Sequence, residues 1–117
     1  EVHPNFTTKE HLQTLAKLGF TRISIGVQDF DPVVQKAINR IQTFEKTKEI
    51  ADVARALGFE SVNTDIIYGL PFQTIESIRL TVEYVKELRP ERIAFYSYAH
   101  VPWISKAQRR YSEADLP

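Results

Sequence analysis

The 117-residue chain contains no cysteine. That excludes disulfides, and it excludes zinc or iron–sulfur centres held by thiolates of this chain. Methionine is also absent, even at position 1, so a processed or partial chain is expected rather than a complete reading frame. Charge of one sign is missing too: 15 Lys and Arg balance 15 Asp and Glu. Nucleic-acid binding needs a basic excess or stripe, so no nucleic-acid partner is expected. No apolar run approaches the ~18 residues that a membrane span requires, and no signal peptide opens the chain. A cytoplasmic protein with no membrane partner is the expectation. The length fits one domain and is small for a common enzyme fold.

What is present repeats. "TTKEHLQTLAKLGFTRISIGVQDF" reads as helix, Gly-Phe turn, strand. "TFEKTKEIADVARALGFESVNTDIIYGLP" and "TIESIRLTVEYVKELRPERIAFYSYAH" read the same way. A period of roughly 30–40 residues is the mark of stacked βα units. Thr7 with Glu10 fits a capping box. Asp31 before Pro32 fits an N-cap followed by a proline in the first turn, and Thr43 and Thr74 suit the other two long helices. Apolar stripes follow at helical spacing: Leu12, Leu15, Ala16; Ile50, Val53, Ala54, Leu57; Ile78, Val82, Val85, Leu88. Gly19 and Gly58 stand where a helix C-terminus favours positive φ.

Strands are expected near 21–27, 61–68 and 92–98, nearly continuous in hydrophobicity, as when both faces are covered. Helical crossovers make them parallel, with right-handed connections. The fold class is therefore α/β, built of parallel βα units. In such sheets the strand C-termini share one edge, and ligands bind there.

Polar residues mark those ends. The first strand runs out into Gln28 and Asp29. The second carries Asp65 inside an apolar run before Gly69-Leu70-Pro71, and the third ends at the Tyr98–His100 corner. Val2 before Pro4 suggests the stump of a preceding strand, with Glu1 near its end. Topology converges Glu1, Gln28, Asp65 and the Tyr98–His100 corner on one rim. Gln offers donor and acceptor together and Asp accepts twice, which suits a ligand with hydroxyls. Arg40, after the short helix ending "AINR", can clamp a carboxylate.

Each residue has a plainer reading. Glu1 can be a solvated end, Gln28 a loop residue and Arg40 a surface charge. Asp65 is harder to explain that way, because a carboxylate in a buried strand is costly unless paired. His3 and His100 read as packing or turn residues, since neither has a second ligand at metal spacing. Tyr96, Tyr98 and Trp103 read as core and rim aromatics.

"SIGVQDFDPVVQKAINRIQ", "DIIYGLPFQT" and "FYSYAHVPW" resemble the oxygen-independent coproporphyrinogen III oxidases, radical S-adenosylmethionine enzymes of haem biosynthesis. The resemblance runs over essentially the whole chain. It implies a partial, TIM-like (β/α) barrel that presents S-adenosylmethionine to a [4Fe–4S] cluster. It makes Gln28 and Asp65 ribose contacts, turns Arg40 toward the methionine carboxylate, sets Ala99 by the adenine, and adds Glu1 as a cofactor ligand. The implied substrate is coproporphyrinogen III, whose two propionates become the vinyl groups of protoporphyrinogen IX.

The family's Cys-x3-Cys-x2-Cys motif is missing, as are the Gly-rich segment after the next strand and the C-terminal part. Residues 1–117 are therefore expected to be the central part of a radical S-adenosylmethionine catalytic domain. Such a piece holds cofactor contacts but no cluster ligands, is inactive alone, and can self-associate through exposed sheet edges. Two other readings stand beside this one: a haem chaperone-like relative without oxidase activity, and a standalone nucleotide-binding βα module.

Overall fold

The computed structural model describes residues 1–103, 105, 108–109 and 111–117. Along the chain run α1 (Lys9–Lys17), β1 (Arg22–Gln28), α2 (Pro32–Ala37), α3 (Phe44–Ala56), β2 (Ser61–Tyr68), α4 (Ile75–Leu88) and β3 (Arg92–Ser97). A 3-10 turn, Glu113–Asp115, follows.

The three strands form one parallel sheet in the order β1-β2-β3. The extended pairing expected at Val2 is present. Val2 bridges Ile25 in parallel, with Val2 N donating to Ser24 O at 2.7 Å and Gly26 N donating to Val2 O at 3.1 Å.

Local chemistry sets the helix starts. The Asp31 carboxylate accepts from Val33 N and Val34 N ahead of Pro32, Thr43 accepts from Lys46 N, and Thr74 exchanges bonds with Ser77. The start of α1 differs from expectation by one residue. Thr8 is the N-cap, and His11, not Glu10, closes the box. Thr7 Oγ1 instead donates to His3 O at 2.8 Å. Gly19 and Gly58 take φ of 93° and 95°, satisfying helix C-termini that a Cβ would strain.

Strand alternation divides the side chains. Ile23, Ile25 and Val27 of β1 and Val62 and Ile66 of β2 pack into the buried core with Leu12, Ile50, Ala54, Val85 and Leu88. Phe30, Phe44 and Tyr84 meet edge-on or tilted beside it, centroids 4.8–5.7 Å apart. The buried face of α4 is more polar than its apolar stripe suggested. Ser77 and Thr81 are buried with Val85 and Leu88, whereas Ile78 and Val82 are only partly covered. The opposite face of the sheet carries Ser24, Gly26, Asn63, Asp65 and Ala94.

The strand β3 is the exception to burial. Ile93, Phe95 and Tyr96 are 43, 51 and 56% exposed, and Trp103 is 70% exposed. Tyr96 and Trp103 are thus not core residues here. Among the described residues, no helix is long and apolar enough to cross a membrane.

Candidate functional site

Asp65 stands in the middle strand, level with Gly26 on one side and Ala94 on the other. Two small neighbours leave space over the sheet at this point. The Asp65 side chain is almost fully buried, at 7% exposure, and its carboxyl meets that of Glu1. Burial first, and the Glu1 carboxyl second, push the Asp65 pKa from 3.8 up to about 6; the α-ammonium group of Glu1 and the Arg40 guanidinium pull the other way.

Arg40 closes the group. Its Nη2 donates to Gly26 O at 2.9 Å and lies 3.9 Å from Glu1 Oε1. Burial lowers its pKa, opposed by Glu1 and Asp65. A Cβ on Gly26 would overlap both Arg40 Nη2 and Glu1 Oε1, so glycine is what lets these side chains lie on the strand. The chain reaches Arg40 through Asn39, a residue in the left-handed region at φ 55°.

Gln28 joins by a bulge. Gly26 pairs with Asp65, yet Gln28 pairs with Ile66, so the register slips one residue at Val27. An unbroken register would set Gln28 against Ile67. The slip draws it back toward Asp65, and its Nε2 lies 3.3 Å from where a Gly26 Cβ would stand. Gln28 takes φ 64°, and Asp29 N donates across it to Val27 O at 2.8 Å. That is a three-residue turn of the strained hand. Such a φ costs a non-glycine residue on the order of 1–2 kcal/mol, and strain of this kind concentrates at functional sites.

The structure thus brings Glu1, Gln28, Arg40 and Asp65 together over Gly26. Ala99 is placed apart from them, in a separate cavity of about 360 Å³ lined by Ile38, Ile67, Tyr98 and Tyr111 among others. There Tyr98 Oη bonds Tyr111 Oη at 2.7 Å and His100 Nδ1 at 3.0 Å. Burial, then the Tyr111 contact, raise the Tyr98 pKa.

Asp29, which follows Gln28 at the polar end of the first strand, turns into the core and is fully buried. It accepts from Asp31 N and Gln73 Nε2, both at 2.6 Å, and from Thr81 Oγ1 at 3.1 Å. Burial raises its pKa against the pull of those three bonds. Gln73 Oε1 in turn accepts from Gly69 N at 2.8 Å. Asp29 therefore ties the end of β1 to the loop after β2 and to α4.

Sequence reading passed over Gly26 and Gln42. A glycine inside an apolar strand signals close approach by another group, so Gly26 could have been found. Gln42 carried no such mark. It is 3% exposed and donates to Gly26 O and Val27 O at 3.0 and 2.7 Å.

Two buried polar atoms here have no partner among the described residues: Arg40 Nε and Gln42 Oε1. With a guanidinium, a paired carboxyl and a cradle that a Cβ would fill, the donor set fits a small polar ligand bearing hydroxyls and a carboxylate. It does not fit an iron–sulfur cluster, because the chain has no cysteine.

A parallel βα sheet with its polar group at the strand ends is the arrangement of a (β/α) barrel wall. The family model described as the radical SAM superfamily matches residues 2–85, and the chain belongs to that superfamily. It is 53% identical to an oxygen-independent coproporphyrinogen III oxidase of Helicobacter pylori, over all of this chain and 26% of that protein. It is 47% identical to the one from Pseudomonas aeruginosa, over all of this chain and 25% of that protein. The solved coproporphyrinogen III oxidase of Escherichia coli, described as a radical SAM enzyme, superposes with a TM-score of 0.94 at 46% identity, covering 99% of this chain and 27% of that one. Elp3 of Methanocaldococcus infernus shares the fold at 18% identity and a TM-score of 0.83, over 98% of this chain and 27% of that one. The chain spans about a quarter of the length of these curated relatives.

Proposed function

We propose that residues 1–117 form the central part of the catalytic domain of an oxygen-independent coproporphyrinogen III oxidase, and that they supply its S-adenosylmethionine contacts. The observation that carries this is the convergence of Glu1, Gln28, Arg40 and Asp65 over Gly26, in a chain whose relatives bear that enzyme's name along its whole length. The same names favour an oxidase over a haem chaperone-like protein. The proposed setting is the cytoplasm.

When bound beside a cluster held elsewhere, S-adenosylmethionine would supply the radical chemistry by which a propionate gives up a hydrogen atom to the cofactor-derived radical, carbon dioxide, and one electron to an acceptor outside this chain. This chain's part is to hold and orient. The ionised Asp65 carboxylate accepts from ribose hydroxyls, and Gln28 offers a donor and an acceptor to the same sugar. Arg40 faces the methionine carboxylate. Glu1 balances the charge of Arg40, and Ala99 leaves its cavity open for the adenine.

The test is cofactor affinity in the full-length, cluster-containing protein. Gln28→Ala and Asp65→Ala each weaken S-adenosylmethionine binding while iron content is unchanged. Asp65→Ala is the worse, because bonds to a charged group are worth roughly 1.5–3 kcal/mol. Wild-type affinity in both variants refutes the ribose assignment.

A further inference from the structure

Three backbone carbonyls flank the strained turn at Gln28, and side-chain amides hold all three. Gln42 Nε2 donates to Gly26 O and Val27 O, and Gln35 Nε2 donates to Asp29 O at 2.8 Å. The two glutamines are themselves linked, Gln42 N donating to Gln35 Oε1 at 3.2 Å. Both are nearly sealed from solvent, at 4 and 3% exposure. Among the described residues, no side-chain hydrogen bond commits the Gln28 amide itself.

We propose that Gln42 and Gln35 are positioning residues for the cofactor site, acting through Gln28. Neither needs to touch ligand. Gln42 fixes the carbonyls before the turn and Gln35 the one after it, so the backbone of Gln28 stays in the left-handed conformation and its side chain stays aimed over Gly26. A turn of this hand relaxes toward ordinary extended backbone once its carbonyls are released. The register slip then loses its hold and Gln28 drifts toward Ile67. Buried amides serve this purpose better than solvent would, because an unpaired buried carbonyl is costly and the clamp therefore stays closed. Arg40 shares Gly26 O with Gln42, but its charge also rests on Glu1, so Gln28 is the member that depends on the clamp.

The inference rests on the cofactor site proposed above, and a double-mutant cycle separates the two. S-adenosylmethionine affinity is measured by calorimetry on full-length, cluster-containing protein: wild type, Gln42→Met, Gln28→Ala and the double variant. Gln42→Met weakens binding about tenfold in the wild-type background and has no further effect beside Gln28→Ala, because the residue it positions is gone. A merely structural Gln42 weakens binding by the same factor in both backgrounds, and that result overturns the inference, as does wild-type affinity in Gln42→Met. Should Gln42→Met not yield folded protein, Gln35→Met runs the same cycle with the same expected pattern. If Gln28→Ala alone binds like wild type, the cofactor site falls and takes the clamp with it. If Gln28→Ala weakens binding and the glutamines do not couple to it, the clamp alone falls.

Discussion

Arg40 lies directly on Gly26: its Nη2 donates to the glycine's carbonyl oxygen at 2.9 Å and occupies the space a Cβ would need. The strand is thin at that point, and the guanidinium uses the gap to reach the Glu1–Asp65 pair without leaving the sheet surface.

Gly26→Ala therefore tests the site separately from the fold. The atoms it would strike are the far ends of Arg40 and Glu1, which can swing away, and the position does not require a positive φ. Stability is expected to change by less than the ~1–3 kcal/mol typical of core overpacking. Cofactor affinity is expected to drop at least tenfold, because Arg40 leaves its place. The melting temperature and a cofactor titration of one preparation read both. A large loss of stability with unchanged affinity would contradict the cradle.

The Asp65 pKa of about 6 sets a pH dependence. The folded form keeps a proton that the unfolded chain, with its pKa near 3.8, has already lost. Stability therefore falls as pH rises from about 4 to about 6. At pH 7 the full cost of holding the charged carboxylate buried beside Glu1 is present. Asp65→Asn is expected to melt higher than wild type at pH 7 and to match it near pH 4. Cofactor affinity runs the other way. It rises through pH 6 and levels off, because the ionised carboxylate is the better acceptor for ribose hydroxyls, and in Asp65→Asn that rise is lost. A flat wild-type titration between pH 5 and pH 8 is the contrary outcome.

The parts of this molecule governed by neighbours in sequence were legible in it. Asp31, Thr43 and Thr74 cap helices because a cap is decided within three residues. At α1 two threonines compete, and Thr7 found a better partner in His3 O, leaving Thr8 as the cap. Gln28 and Asp65 were legible for another reason: parallel connections send all strand ends to one edge, so polar residues there coincide whatever the details of packing. Asp29 and Gln42 were not. Their bonds join residues 15 to 52 apart, and a lone Asp or Gln in a connecting segment looks the same whether it faces water or a buried carbonyl. Tyr96 and Trp103 read as core and rim aromatics by type alone, which does not tell the two apart, and both are more than half exposed.

Asp29 is expected to matter for stability more than for binding. Asp29→Ala strips the acceptor from Asp31 N, Gln73 Nε2 and Thr81 Oγ1 in a site with no exposure. Leaving such donors unpaired costs about 3 kcal/mol after side-chain rearrangement, near a 10 °C drop in melting temperature for a domain of this size. Asp29→Asn, which keeps one acceptor oxygen, should lose about half as much. Equal melting of all three proteins would show that the hub contributes nothing.

The last prediction concerns the 117 residues as a separate chain in solution. The strand β3 is an edge of the three-stranded sheet, and its Ile93, Phe95 and Tyr96 are about half exposed. At the other edge, among the described residues, β1 is bridged only at Val2. Unpaired N–H and C=O groups along an edge are templates for pairing with another chain, and apolar side chains beside them add burial to that pairing. Charge does little to prevent it, since the net charge is zero and electrostatic repulsion between copies is weak. The chain is therefore expected to self-associate through β3, with an apparent mass that grows over a concentration series in light scattering. Replacing Phe95 by Lys puts a charge on that edge and should shift the series toward monomer. If the chain stays monomeric at every concentration and melts cooperatively at high temperature, then three βα units bury enough surface by themselves, and the exposed β3 is a stable feature rather than a reactive one.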